Sequence, residues 1–169
     1  IWFIPTQNTL IQYETNFLET SDIVLYNKNL FFSNNFSKLF SLNINSGIIN
    51  WIQNINSNLR PIIIDNLIFT VTQEGYLMVL DTTRGKIIRS NYIYGGFKTK
   101  QKKNLFAHGF LIASNKVYIT TNLGYLIICS VNTGRVEKLH KVSDSPLSEP
   151  LISNNNLYIL TNKSVVVIN

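Results

Sequence analysis

The chain has 169 residues, of which 45% are hydrophobic and 14% charged, and it carries a formal net charge of +6. That balance fits a folded chain with its own core and excludes a disordered one. No apolar stretch approaches the roughly 20 residues that a membrane-spanning helix needs. Ile1-Trp2-Phe3 lacks the basic start, long apolar centre and small-residue cleavage site of a signal peptide. A start without Met, on a strand-like segment, reads as a piece of something longer, so the compartment stays open.

Taken in chain order, residues 1–21 read as an outer strand followed by a connection. A first repeat, 22–56, then runs through a short strand at 23–26, an Asn-rich turn, an apolar strand opening Leu30-Phe31-Phe32, and a small-residue turn at Ser37. It continues with a strand at Lys38–Asn43, a polar turn closing on Gly47, and a strand at 48–52. The second repeat, 61–94, has strands at 61–64, from Leu67, at Tyr76–Asp81 and at 86–90, with turns at Gly75 and Gly85. After an insertion at 95–109, the third repeat, 110–141, has strands at 110–113, from Val117, at Tyr125–Ser130 and at 135–139, with turns at Gly124 and Gly134. The fourth, 150–169, offers Leu151–Ser153, a strand from Leu157 and a turn at Ser164, and stops halfway.

Ten residues separate Ser37 from Gly47, Gly75 from Gly85, and Gly124 from Gly134. Small residues at these corners suit positive φ, and short polar side chains before a glycine suit a tight turn. Four short antiparallel strands recurring about every 40 residues predict an all-β fold, a β-propeller of about four blades, each a four-stranded antiparallel sheet, partial or part of a larger wheel. Residues 1–4 are expected either to end a blade that precedes residue 1 or to complete the unfinished fourth blade and close a ring.

Ser41-Leu42-Asn43-Ile44-Asn45-Ser46-Gly47-Ile48-Ile49-Asn50-Trp51 resembles the Ala-Leu-Asp-x-x-Thr-Gly-x-x-x-Trp motif of the PQQ-type propeller repeat. The segments from Val79 to Gly85 and from Ile128 to Gly134 keep the frame but replace the tryptophan by Arg89 and Lys138. Among proteins with such repeats the chain resembles the carboxyl-terminal part of the BamB-like outer-membrane protein assembly family. That resemblance implies a non-catalytic scaffold for protein–protein interaction on the periplasmic side of the outer membrane. It also implies docking on a partner chain through loops at one end of the wheel. Contact with the membrane would be indirect, or through an anchor missing from this chain. Trp51 is expected to lie buried where adjacent blades meet.

PQQ-dependent oxidoreductases share the repeat and supply the alternative. The resemblance to them would imply a quinone near the axis, a calcium ion on carboxylate and amide oxygens, a catalytic aspartate and often a disulfide between adjacent cysteines. The last is impossible with Cys129 alone, and the nine acids are scattered, mostly in predicted turns. The expectation is therefore no catalytic residue, no cofactor and no metal site. His108 and His140 lack neighbours at metal-ligand spacing and read as loop or outer-strand residues. Cys129, between Ile128 and Ser130, reads as a small buried hydrophobe.

The remaining local feature is the insertion, where Phe97, Lys98, Lys100, Lys102, Lys103 and Phe106 place four lysines between aromatics beyond a flexible Gly95-Gly96 joint. This is the candidate partner-binding surface, suited to an acidic protein, to phosphate-rich partners or to lipid head groups. The structural reading beside it is a solvated loop whose lysines stop a mobile segment from pairing as an edge strand. Nucleic acid is not expected, since neither an aromatic platform nor a recognition helix accompanies the charge. Asn35-Phe36-Ser37 and Asn162-Lys163-Ser164 fit the glycosylation acceptor pattern, which has meaning only in a eukaryotic secretory host.

Overall fold

The structure is a computed structural model that describes residues 1–3, 20–34 and 37–168. Ile4, the connection through residue 19 and the first two residues of the Asn35-Phe36-Ser37 tripeptide lie outside the described residues.

Blade 1 consists of β1 (Val24–Tyr26), β2 (Asn29–Asn34), β3 (Lys38–Asn43) and β4 (Ile49–Asn54). Blade 2 is β5 (Ile62–Ile64), β6 (Leu67–Val71), β7 (Tyr76–Asp81) and β8 (Ile87–Tyr92). Blade 3 is β9 (Ala107–Ala113), β10 (Lys116–Thr121), β11 (Tyr125–Ser130) and β12 (Val136–Lys141). Each is an antiparallel meander in sequence order, and a fourth, three-stranded sheet holds β13 (Leu151–Ser153), β14 (Asn156–Leu160) and β15 (Val165–Ile168). The sheets do not close into a ring among the described residues.

Turn chemistry fixes this register. The first hairpin of blades 1, 3 and 4 turns on two residues at positive φ, Asn27-Lys28, Ser114-Asn115 and Asn154-Asn155. Such a pair matches the right-handed twist of the flanking strands. The second hairpin turns at Ser37, Gly75 and Gly124, all at positive φ. Ser164 does not follow them: that corner is closed by Thr161, whose Oγ1 accepts from the Ser164 amide at 3.0 Å. The third hairpin closes on Gly47, Gly85 and Gly134, with φ of 70°, 67° and 70°. Ahead of it a short polar side chain collects backbone amides: Asp81 accepts from Arg84 and Lys86 at 2.7 Å each, and Asn43 from Asn45 at 3.0 Å. A β-bulge recurs at the same place in each full blade, at Ser41/Leu42, Val79/Leu80 and Ile128/Cys129.

The third strand of each full blade is buried on both faces, which is why it reads as a mostly apolar run, interrupted in β3 by the buried Ser41. Alternation along β7 sends Met78 and Leu80 into the cluster shared with blade 1, while Leu77 and Val79 join the one shared with blade 3. A third cluster, Leu126, Leu147, Leu157 and Ile159, joins blades 3 and 4. No buried cluster among the described residues joins blade 4 to blade 1.

Where the next blade has a closing glycine, a side chain from the preceding outer strand is pressed onto it and locks the seam. Trp51 is 9% exposed, and its Nε1 donates to the Thr82 carbonyl at 2.9 Å. A Cβ on Gly85 would stand 2.5 Å from the indole. Trp2 repeats the arrangement one blade earlier: Nε1 donates to the Ile44 carbonyl at 3.0 Å, and a Cβ on Gly47 would stand 2.5 Å from the ring. Residue 2 thus stands against blade 1 as Trp51 stands against blade 2, while β15 keeps an outer edge paired to no described strand. Truncating the buried indole, Trp51→Ala, should cost about 3–5 kcal/mol in urea unfolding. A change within about 0.5 kcal/mol would show that the seam does not depend on it.

Candidate functional site

The insertion between β8 and β9 is an ordered cap instead of a free loop. Residues 99–102 form the single helical turn α1 (Thr99–Lys102), entered at Lys98, whose amide donates to Gln101 Oε1 at 3.0 Å. Phe97 is 6% exposed and wedges edge-on between Tyr94 and Tyr125, with ring centroids 6.1 and 4.9 Å away. Leu105 is also buried, in the same cluster as Phe97. Asn122 clamps the far end: its Nδ2 donates to the Asn104 carbonyl at 2.6 Å and its Oδ1 accepts from the Phe106 amide at 3.0 Å.

These anchors divide the sequence candidates in two. Phe97 belongs to the core. Lys98, Lys100 and Lys103 are exposed, Lys102 is half-buried with Nζ 5.5 Å from the Tyr92 ring centroid, and Phe106 is exposed. Lys141, from β12, adds a further cation over Tyr125 at 4.7 Å. The result is a basic ledge on a fixed base.

At the same end of the blades the inner strands begin, and residues from all four meet around a polar cavity of about 180 Å³. Asp22, Arg60, His108 and Glu149 line it, together with Asn58. His108 therefore stands on an innermost strand, not in a loop or outer strand, because β9 begins earlier than the sequence pattern suggests and is bulged opposite Thr120/Thr121. Its Nδ1 lies 2.9 Å from the Leu147 carbonyl, and its ring is 5.1 Å from that of Phe106. Counting four residues back from the last residue of each inner strand would have found Asp22, Arg60 and Glu149, but the bulge hides His108. His140 lies exposed on β12, as its pattern indicates.

A larger, more apolar cleft of about 560 Å³ opens between blades 3 and 4, among Tyr118, Leu126, Ile128, Leu157 and Ile168. Lys138, at the repeat position of Trp51, lines it. Cys129 is fully buried, and burial pushes its thiol pKa up to about 12, with the charge of Glu137 adding to the shift. The thiol therefore stays protonated and packs as an apolar group. Among the described residues no three His, Cys, Asp or Glu side chains converge as a metal site.

Four-stranded sheets set around an axis, with the closing-glycine turn in each full blade, define a PQQ-type β-propeller repeat protein. The chain resembles the BamB-like outer-membrane assembly family: the family described as outer membrane protein assembly factor BamB matches residues 8–91. BamB from Moraxella catarrhalis superposes with a TM-score of 0.67 at 13% identity, covering 87% of this chain and 41% of that one. The computationally designed protein Ika4 superposes with a TM-score of 0.71 at 12% identity, over 94% of both chains. A quinohemoprotein alcohol dehydrogenase from Comamonas testosteroni gives 0.59 at 16% identity, over 71% of this chain and 20% of that one. This chain spans about two-fifths of the Moraxella BamB structure. No curated protein matches at the level of sequence.

The two halves of the insertion should separate on mutation. Phe97→Ala should lower stability by about 3–5 kcal/mol, whereas Lys100→Ser and Lys103→Ser should each stay within about 0.5 kcal/mol. Thermal unfolding of the three variants checks this, and equal effects would contradict the division into anchor and ledge.

Proposed function

We propose that the chain is a non-catalytic propeller scaffold that holds an acidic protein segment on the basic ledge of Lys98, Lys100, Lys102 and Lys103, with Phe106 beside it. The observation that carries this reading is the anchoring of the ledge by Phe97 and Leu105 in the seam between blades 2 and 3. Lysines on a mobile loop would lose conformational freedom on binding, whereas a fixed ledge has already lost most of it. Positive charge gathered at one end of a wheel also steers an acidic partner and sets its orientation. The likeness to BamB supports placing such a scaffold in outer-membrane β-barrel assembly, on the periplasmic side. Oxidoreductase chemistry is the rival reading, because quinone-dependent dehydrogenases share the fold.

A fluorescein-labelled peptide of alternating Glu and Gly serves as the probe. Binding should weaken steeply between low and physiological salt and disappear in the variant carrying Ser at residues 98, 100, 102 and 103, whose melting temperature should stay unchanged. Equal binding by that variant would overturn the ledge as the contact surface, and so would a preference for vesicles of anionic lipid over the peptide. Titration with pyrroloquinoline quinone and calcium should leave the quinone's absorbance unaltered. A bound-quinone spectrum at one equivalent would overturn the scaffold reading in favour of the oxidoreductase.

A further inference from the structure

We propose that the mouth of the axis is a binding site for a small zwitterion of the amino-acid class, with Asp22, Glu149 and the His108 Nε2 facing its ammonium group and Arg60 its carboxylate. The site is built by the repeat itself. Hairpin register aligns Tyr26, Ile64, Ala113 and Ser153, each the last residue of its inner strand. Four residues before these stand Asp22, Arg60, Gly109 and Glu149. In blade 3 the bulge pairs Thr120 with Gly109 and Thr121 with Ala107, so His108 is the extra residue at that level.

Gly109 has a definite role in this arrangement. A Cβ there would stand 2.8 Å from the Cα of Glu149, a contact with backbone that no rotamer change relieves. Glycine lets the approach to blade 4 pass close beside blade 3 and brings the Glu149 carboxylate to the shared cavity. The Leu147 carbonyl next to His108 Nδ1 favours the tautomer with a proton there, leaving Nε2 as an acceptor without a protein partner.

Charges of both signs line this cavity without neutralising one another. The ion pairs among the described residues, Lys116–Glu137 and Lys141–Asp144, lie elsewhere, and no hydrogen bond occupies the side chains of Asp22, Arg60 or Glu149. A simple anion drawn to Arg60 would meet two carboxylates, and a simple cation drawn to those carboxylates would meet the guanidinium. A ligand carrying both charges a few bonds apart satisfies both sets, so the site discriminates by repulsion as well as attraction. The guanidinium matches a carboxylate in two parallel hydrogen bonds. A volume of about 180 Å³, lined by exposed charged side chains, accommodates a ligand of the size of a small amino acid.

The test is an NMR titration of the full isotope-labelled chain with glycine, and separately with acetate and with methylammonium at matched ionic strength. Glycine should give saturable shifts confined to residues 20–22, 58–60, 108–110 and 149, and either single-charge analogue should bind at least about tenfold more weakly. Arg60→Met and the pair Asp22→Asn with Glu149→Gln should each weaken glycine by about tenfold or more while the rest of the spectrum stays folded. If Arg60→Met unfolds the chain, Arg60→Gln takes its place. Equal affinity for acetate or methylammonium, shifts spread over the surface, or no shifts at all would overturn the proposal. The variant with Ser at residues 98, 100, 102 and 103 should bind glycine unchanged, so this site and the basic ledge stand or fall separately.

Discussion

The contact on which the wheel depends is an outer-strand side chain pressed against the left-handed glycine that closes the next blade. Glycine is required there twice over, for its φ near +70° and for the missing Cβ that lets a ring lie on the backbone. The partner is freer. Trp2 and Trp51 each donate one indole N–H to a carbonyl of the turn, at Ile44 and Thr82. In the next seam Arg89 stands at the same position, its guanidinium donates to the Val131 and Asn132 carbonyls, and its Nε would lie 3.0 Å from a Cβ on Gly134. Indole and guanidinium are unlike in shape and charge, yet both are flat and both donate. The seam selects for those two properties.

Exchanging indole for guanidinium has a cost that the insertion offsets. Arginine brings two hydrogen bonds to the seam between blades 2 and 3 but less apolar surface than tryptophan. This is the seam that carries the insertion, and Phe97 and Leu105 enter its cluster beside Ile93, Tyr94 and Ala107. The insertion thus supplies apolar area where the docking residue supplies little. A segment fastened for that reason presents its lysines at fixed places, so a packing requirement and the proposed recognition surface share one stretch of chain.

Legibility in the sequence followed how narrowly each position is constrained. The closing glycines and the Asn-rich first turns could be read because few residues tolerate positive φ, and those few recur at fixed spacing. The third strands, Lys38–Asn43, Tyr76–Asp81 and Tyr125–Ser130, were legible to the residue because burial on both faces leaves mostly apolar choices, with small Ser41 the buried polar exception. Arg89 was obscure as a docking residue, since a charge at a tryptophan position reads as loss of the contact until the facing carbonyls are seen. Phe97 was obscure because an aromatic among lysines looks the same in an exposed patch as in an anchor. His108 was obscure because a bulge shifts register by one residue, and nothing in the composition of β9 marks where that shift falls. Ser164 looked equivalent to Ser37, but Thr161 three residues before it closes the corner through its hydroxyl and removes the need for positive φ.

A propeller separates what holds it together from what its centre offers. The seams and closing turns lie toward the middle and outer strands, while the residue just ahead of each inner strand faces the axis and carries no seam. One substitution per repeat at that level therefore resets the chemistry of the centre without touching the core. Here the four repeats place a carboxylate, a guanidinium, an imidazole beside a glycine, and a second carboxylate around one small cavity. The glycine is the exception to this freedom, since Gly109 must stay small for Glu149 to reach the cavity. The same independence explains how scaffold proteins and quinone-dependent enzymes share the fold, since activity depends on the few residues at the axis and the rim and the wheel is indifferent to them.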